Sequence, residues 1–126
     1  MSAARFFLAA AMLFALSPAV AFAAEAPLDA SYGNKDGCLY ANTGETNGSD
    51  NFFLLDKEAI TTAASYCEFK TIDSKTADGF DATVTCQEEG SDDSTDLKVK
   101  IGKVGKDGYK IDLPDGASWG PLKKCK

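Results

Sequence analysis

The 126-residue chain holds 19 acidic residues against 13 Lys and Arg, four cysteines and no histidine. A chain of this length supports one domain rather than two, and its acidic balance speaks against nucleic acid and anionic membranes as partners. Without histidine, and with no free thiol if all four cysteines pair, most hydrolase templates lack their base or nucleophile. Only carboxylate pairs drawn from Glu58, Glu68, Glu88 and Glu89 would remain, so the expectation is a protein that is not an enzyme.

The chain opens with Arg5, the apolar run Phe6 to Leu16, and the small-residue site Ala21-Phe22-Ala23. This layout predicts a signal peptide over 1–23, cleaved on export to the periplasm. The alternative, a membrane anchor, is disfavoured because the run is shorter than the roughly 20 residues a span requires. Cleavage removes the only arginine and leaves twelve lysines against nineteen acids, a balance of −7. That charge suits solubility and also electrostatic steering toward a basic partner.

Residues 24–37 are rich in Ala, Pro, Gly and Asp, have no apolar period, and read as a flexible N-terminal arm. From Cys38 to the end, short apolar segments alternate with turn signals, so 38–126 is predicted to be a single all-β domain, a small antiparallel barrel or sandwich. The signals are Asp36-Gly37, Asn47-Gly48, Asp78-Gly79, Asp107-Gly108 and Asp115-Gly116. Phe52 to Leu55 is a continuous apolar run, fit for burial on both faces. Residues 56–66 are open to two readings. Ile60, Ala63, Ala64 and Cys67 fit a helical stripe capped by Asp56, whereas Ile60-Thr61-Thr62 favours a strand, the preferred reading with a possible helical turn.

The middle cysteines lie on a hairpin. Phe80, Ala82, Val84 and Cys86 alternate with polar residues, as do Cys67 and Phe69. Placing Cys67 opposite Cys86 sets Phe69 against Val84 and Thr71 against Ala82 on one face. This parity favours Cys67–Cys86, leaving Cys38–Cys125 to join the domain ends. An even cysteine count in an exported chain agrees with two disulfides, and zinc is disfavoured by the lack of histidine and of C-x-x-C spacing. No metal or cofactor is expected.

Further along, Glu88 to Asp96 is the densest acidic stretch. It lacks the glycine and glutamate positions of an EF-hand loop and reads as a solvated hairpin loop in which Asp92 and Asp93 can steer a partner. Leu97, Val99 and Ile101 alternate with lysines, as do Tyr109, Ile111 and Leu113 with Lys110 and Asp112, giving two strands with wet faces. Lysines of this kind also protect sheet edges. At the Lys106-Asp107-Gly108 turn, Lys106 can offer an ammonium to a carboxylate-bearing cleft, with Tyr109 packed in support. Trp119, the single tryptophan, reads either as core packing beside Cys125 or as an exposed interface anchor.

The leader, the length, the spaced strands and cysteines, Ala82-Thr83-Val84-Thr85-Cys86 and the closing Gly120-Pro121-Leu122-Lys123-Lys124-Cys125 together resemble the small periplasmic inhibitors of lysozyme-type peptidoglycan hydrolases from Gram-negative bacteria. The resemblance implies a disulfide-stapled antiparallel β-barrel with loops that enter a hydrolase cleft, and a lysozyme-like muramidase, host or endogenous, as partner. The Ser-Gly-aromatic string of the c-type inhibitors is absent, and Ser31-Tyr32-Gly33 and Ser118-Trp119-Gly120 have a different order, so no contact residue is carried over. The contact residues expected from the chain itself are Lys106, Tyr109, Trp119, Asp92 and Asp93. The alternative function is a structural or carbohydrate-binding module of the envelope, with peptidoglycan as its ligand and aromatic side chains as stacking platforms.

Overall fold

Alternating apolar and polar residues put one face of each strand in contact with its neighbours' apolar faces, and the sheet satisfies this demand by closing on itself. The computed structural model describes residues 23–126; most of the predicted signal peptide lies outside them. The elements are β1 (Tyr32–Gly33), α1 (Lys35–Thr43), β2 (Phe53–Leu55), β3 (Ala59–Thr62), β4 (Ser65–Thr76), β5 (Gly79–Glu88), β6 (Ser94–Val104), β7 (Gly108–Asp112) and β8 (Ser118–Lys124). Each strand pairs antiparallel with the next, and β1 also pairs with β8, closing an eight-stranded barrel. Of the two expected architectures, barrel and sandwich, the chain forms the barrel.

The interior is filled with side chains. Leu55, Ile60, Phe69, Val84, Ile101, Ile111 and Leu122 are fully buried, packed with Phe80, Ala82, Val99 and the Cys67–Cys86 bridge. Eight strands leave just enough width for such a core. Cys67 and Cys86 face each other directly on β4 and β5, 19 residues apart in sequence. Cys38–Cys125 spans 87 residues, as expected from the cysteine positions.

Phe69 meets Val84, but a bulge at Lys70 shifts the next pair, so Thr71 lies opposite Thr83 and Ile72 opposite Ala82. The register expected for Thr71 is therefore off by one residue. The bulge turns Ile72 toward the core and leaves Thr71 outside, where its hydroxyl donates to Asp73 Oδ1 at 2.8 Å.

Residues 24–37 do not form the expected loose arm. Ala26 and Leu28 are buried in the core cluster at one barrel end, Ala24 N donates to Phe69 O and Ala26 N to Lys57 O, and Tyr32–Gly33 is the strand that closes the barrel. The domain therefore begins well before Cys38, which lies on a helix rather than at the start of a sheet. Asn34 caps that helix, its Oδ1 accepting from Gly37 N at 2.9 Å, and Gly44 ends it in the left-handed conformation with its N–H on Tyr40 O. The Asp36-Gly37 pair is thus a first helical turn, not a hairpin. Glycine is required there because α1 sits so closely on β2 that a Cβ at 37 would lie 1.9 Å from Phe53 O. Beneath α1, Phe52 and Leu54 are buried outside the barrel while Leu55 points in, as the continuous apolar run predicted.

The ambiguous stretch 56–66 holds β3, the start of β4 and the turns before and between them, with no helix. Asp56 is still a cap, but of the tight β2–β3 turn, where its Oδ1 accepts from Glu58 N and Ala59 N. The lysine-bearing β6 and β7 are exposed on one face and buried on the other, as expected, yet neither is a sheet edge, since a closed barrel has none.

Replacing Gly37 with Ala should lower stability by about 2 kcal/mol or more, because backbone must move to admit the methyl group. Gly102→Ala, where a Cβ meets nothing within 4 Å, should change the urea midpoint far less. Replacing Cys38 and Cys125 together by Ala should cost about 4.6 kcal/mol by the loop-entropy relation, read from the same denaturation curves.

Candidate functional site

Successive strands reverse direction, so connections alternate between the two barrel ends. Residues 105–107 and the flanking 24–31 and C-terminal segments lie at one end. The acidic loop 89–93 and the 113–117 turn lie at the other. Lys106 and the Asp92/Asp93 pair are thus at opposite ends of β6, whose 11 residues separate them by about 35 Å. One partner surface cannot easily span both.

Lys106 is exposed at the tip of the β6–β7 turn. The turn is held to β8 by Lys124 N donating to Asp107 O at 3.0 Å, and the next residue, Cys125, donates its N–H to Ser31 O at 2.9 Å and carries the disulfide to α1. Ammonium tip, turn, last strand and staple form one connected unit. Val104 and Asp107, on either side of Lys106, also line a 720 Å³ exterior groove with Pro121, Lys123, Lys124, Cys125 and Lys126.

Tyr109, expected to support Lys106 at the interface, lies in the core with its ring 4.7 Å from that of Tyr32. It braces the turn from within the barrel. Trp119 is only partly buried, but it packs against the core with its ring 5.6 Å from Phe53, which leaves it poorly placed as a projecting anchor. Asp92 and Asp93 are exposed in their loop, as expected for a solvated hairpin. Of the five expected contact residues, Lys106 is both exposed and flanked by residues that line this groove.

The lysines of β8 and the C-terminus were not singled out in the sequence, although a charge count by segment reveals them. Residues 24–96 hold four lysines and sixteen acids, a balance of −12, whereas 97–126 hold eight lysines and three acids, a balance of +5. The net charge conceals this division. Folding places the second segment on the adjacent strands β6, β7 and β8. Within it Lys110 pairs with Asp112 and Lys124 with Asp29, while Lys98, Lys100, Lys103, Lys106, Lys123 and Lys126 make no ion pair among the described residues; of these, Lys98 and Lys100 share a groove with Asp73, Asp81 and Asp112. Two of the acids nearby are held in surface bonds: Asp96 on β6 accepts from Lys70 and Thr85, and Asp73 on β4 from Thr71 and Thr83. The uncompensated positive charge therefore concentrates around Lys106.

Asp29 joins this end to the closing strand. Its carboxylate accepts from the Tyr32 hydroxyl at 2.6 Å and from Lys124 Nζ at 3.1 Å, and these bonds hold its pKa below the ordinary 3.8. The same physics lowers Asp73, through Thr71 and Thr83, and Asp96, through Lys70 and Thr85. Burial, with the Asp29 bond second, raises Tyr32 above its ordinary 10.0, and burial raises Tyr109. Comparison with protein-family models, curated proteins and solved structures finds no match for the chain.

These shifts fix the direction of the pH dependence. Depressed carboxylates stabilise the fold fully above their unfolded-chain value of 3.8 and lose that contribution as pH falls through the lowered native values. The raised tyrosines stabilise it below 10.0 and lose that contribution as pH rises beyond it. Urea midpoints should therefore form a plateau between these limits, and Asp29→Asn should reduce the steepness of the acid limb.

Proposed function

We propose that the chain is an exported, non-catalytic binding protein of the periplasm that inhibits a lysozyme-like muramidase, with the Lys106 turn as the inserted element. The observation that carries this reading is the connection of that exposed ammonium, through Asp107 and β8, to the Cys38–Cys125 staple. A tip held in this way loses little conformational freedom on binding, which favours affinity. Two disulfides suit an oxidising compartment, and no helix among the described residues is long and apolar enough to cross a membrane.

Chemistry explains why an ammonium would inhibit. Muramidases of this type work with two carboxyl groups about 5 to 9 Å apart, one of which must stay protonated to act as the acid. A lysine ammonium between them favours the ionised form of both. The acid catalyst loses its proton and the cleft is blocked to the glycan. The unpaired Lys103 and Lys123 nearby extend the same complementarity to the acidic cleft wall, while the overall acidic balance supplies long-range attraction to a basic enzyme.

The direct measurement is lysis of peptidoglycan by a c-type lysozyme and by an endogenous muramidase, each titrated with residues 24–126 at fixed salt. Inhibition of at least one enzyme is expected, and Lys106→Ala should weaken it about tenfold or more by faster dissociation. Asp92→Asn combined with Asp93→Asn should slow association with little change in off-rate. Absence of binding and inhibition with both enzymes would refute the reading.

A further inference from the structure

The exterior grooves of the barrel differ in charge. The one beside β8 carries three lysines, and the one running from β4 to β7 is lined by Asp73, Asp81 and Asp112 with Lys98 and Lys100. A third, of 270 Å³, runs between α1, the loop that follows it, and β3; Asp50 is the only formal charge in its lining. Its walls are otherwise aromatic or hydroxyl-bearing, including Tyr40, Phe52, Thr46, Ser49 and Thr61.

Two exposed tyrosines mark this groove. The fold buries Tyr32 and Tyr109 yet leaves Tyr40 37 % and Tyr66 45 % exposed. Tyr40 stands on α1 with its ring held edge-on by Phe52 at 5.3 Å. Tyr66 is the cross-strand partner of Thr61 and faces outward, since its neighbour Cys67 is buried in the barrel. Neither phenol, nor the hydroxyls of Thr46 and Thr61, makes a side-chain hydrogen bond among the described residues. Tyr40 thus lines the hydroxyl-bearing groove from α1, and Tyr66 projects from β4 beside Thr61 at its margin, both with their polar atoms available.

We propose that this groove is a binding site for a neutral saccharide. A pyranose ring has an apolar C–H face that packs on an aromatic ring and an equatorial rim of hydroxyls that exchange hydrogen bonds with Thr, Ser, Tyr and a carboxylate. Both halves of that chemistry are present here, and the charges in and around the site, Asp50 in the groove with Glu68, Glu58 and Asp56 acting on Tyr66, are all carboxylates, which gives an anionic ligand nothing to pair with. The volume lies just under the ~300 Å³ of the smallest pockets that enclose drug-sized ligands, so the groove holds about one ring, with adjacent rings of a chain reaching Tyr66. The site is separate from the Lys106 turn, and the two readings stand or fall independently.

Titration of residues 24–126 with two neutral probes, the tetramer of N-acetylglucosamine and cellotetraose, followed by backbone amide NMR, tests the proposal. Saturable binding of at least one, with a Kd of order 1 mM and shifts confined to α1, the 46–52 loop, β3 and the start of β4, is the expected result. Tyr66→Ala should weaken it about tenfold while Tyr66→Phe retains most of the affinity, because stacking rather than the phenol dominates. Tyr66 projects from the outer face, so this variant keeps the core even if Tyr40→Ala, which uncovers Phe52, fails to fold. Lys106→Ala should bind the saccharide like the parent chain. Failure of both probes to bind the folded protein, or unchanged affinity in a folded Tyr66→Ala, overturns the proposal.

Discussion

Closure of the barrel depends on a seam only two residues long. Tyr32 and Gly33 pair with Leu55 and Leu54 on one side and with Lys124 and Lys123 on the other. So short a strand offers few hydrogen bonds of its own, and the surrounding chain holds it in place. Gly33 lets the strand approach Phe53 O, where a Cβ would lie at 2.8 Å. The Tyr32 hydroxyl is fixed by Asp29, which also binds Lys124. Cys38–Cys125 then joins the element after the seam to the residue after β8. Loss of this seam would expose the free edges of β2 and β8, the condition that a closed barrel avoids.

The strands of the second half were legible because their alternation is strict. Phe80, Ala82, Val84 and Cys86 point inward as their spacing required, and the parity that paired Cys67 with Cys86 holds in the sheet. The bulge at Lys70 was not legible, since Lys70 and Thr71 are both polar and exposed and nothing in the pattern marks one of them as an extra residue. Helix α1 escaped because it is short and its closest contact is made by a glycine rather than an apolar stripe. Its signals were the caps Asn34 and Gly44, eclipsed by an Asp-Gly pair that reads as a turn. Ala26 and Leu28 lie in a stretch of alanine, proline and acidic residues, and their burial follows only from the barrel end that they cover.

At the candidate site the same distinction holds. The Lys106-Asp107-Gly108 turn was visible as a turn, and the alternation of Tyr109 with Ile111 already implied that Tyr109 faces inward with its neighbour. That inward direction removes it from a contact surface. The separation of Lys106 from Asp92 and Asp93 required the strand order, which no local pattern supplies. Charge division between residues 24–96 and 97–126 was countable throughout, but only adjacency of β6, β7 and β8 turns it into a surface. A protein that is acidic overall can thus present a locally basic face, and its net charge alone is a poor guide to what each side attracts.

The two bridges differ in accessibility. Cys67 and Cys86 are sealed inside the wall they cross-link, whereas Cys38 and Cys125 remain partly open to solvent. Thiol–disulfide exchange needs a thiolate to reach a sulfur atom, so an oxidoreductase can attack the outer bridge of the finished protein but not the inner one. Correction of a mispaired inner cysteine therefore belongs to the period before the first and last strands meet. Barrel closure acts as the proofreading deadline for the inner bridge, while the outer one, joining residues 87 apart, stays open to exchange.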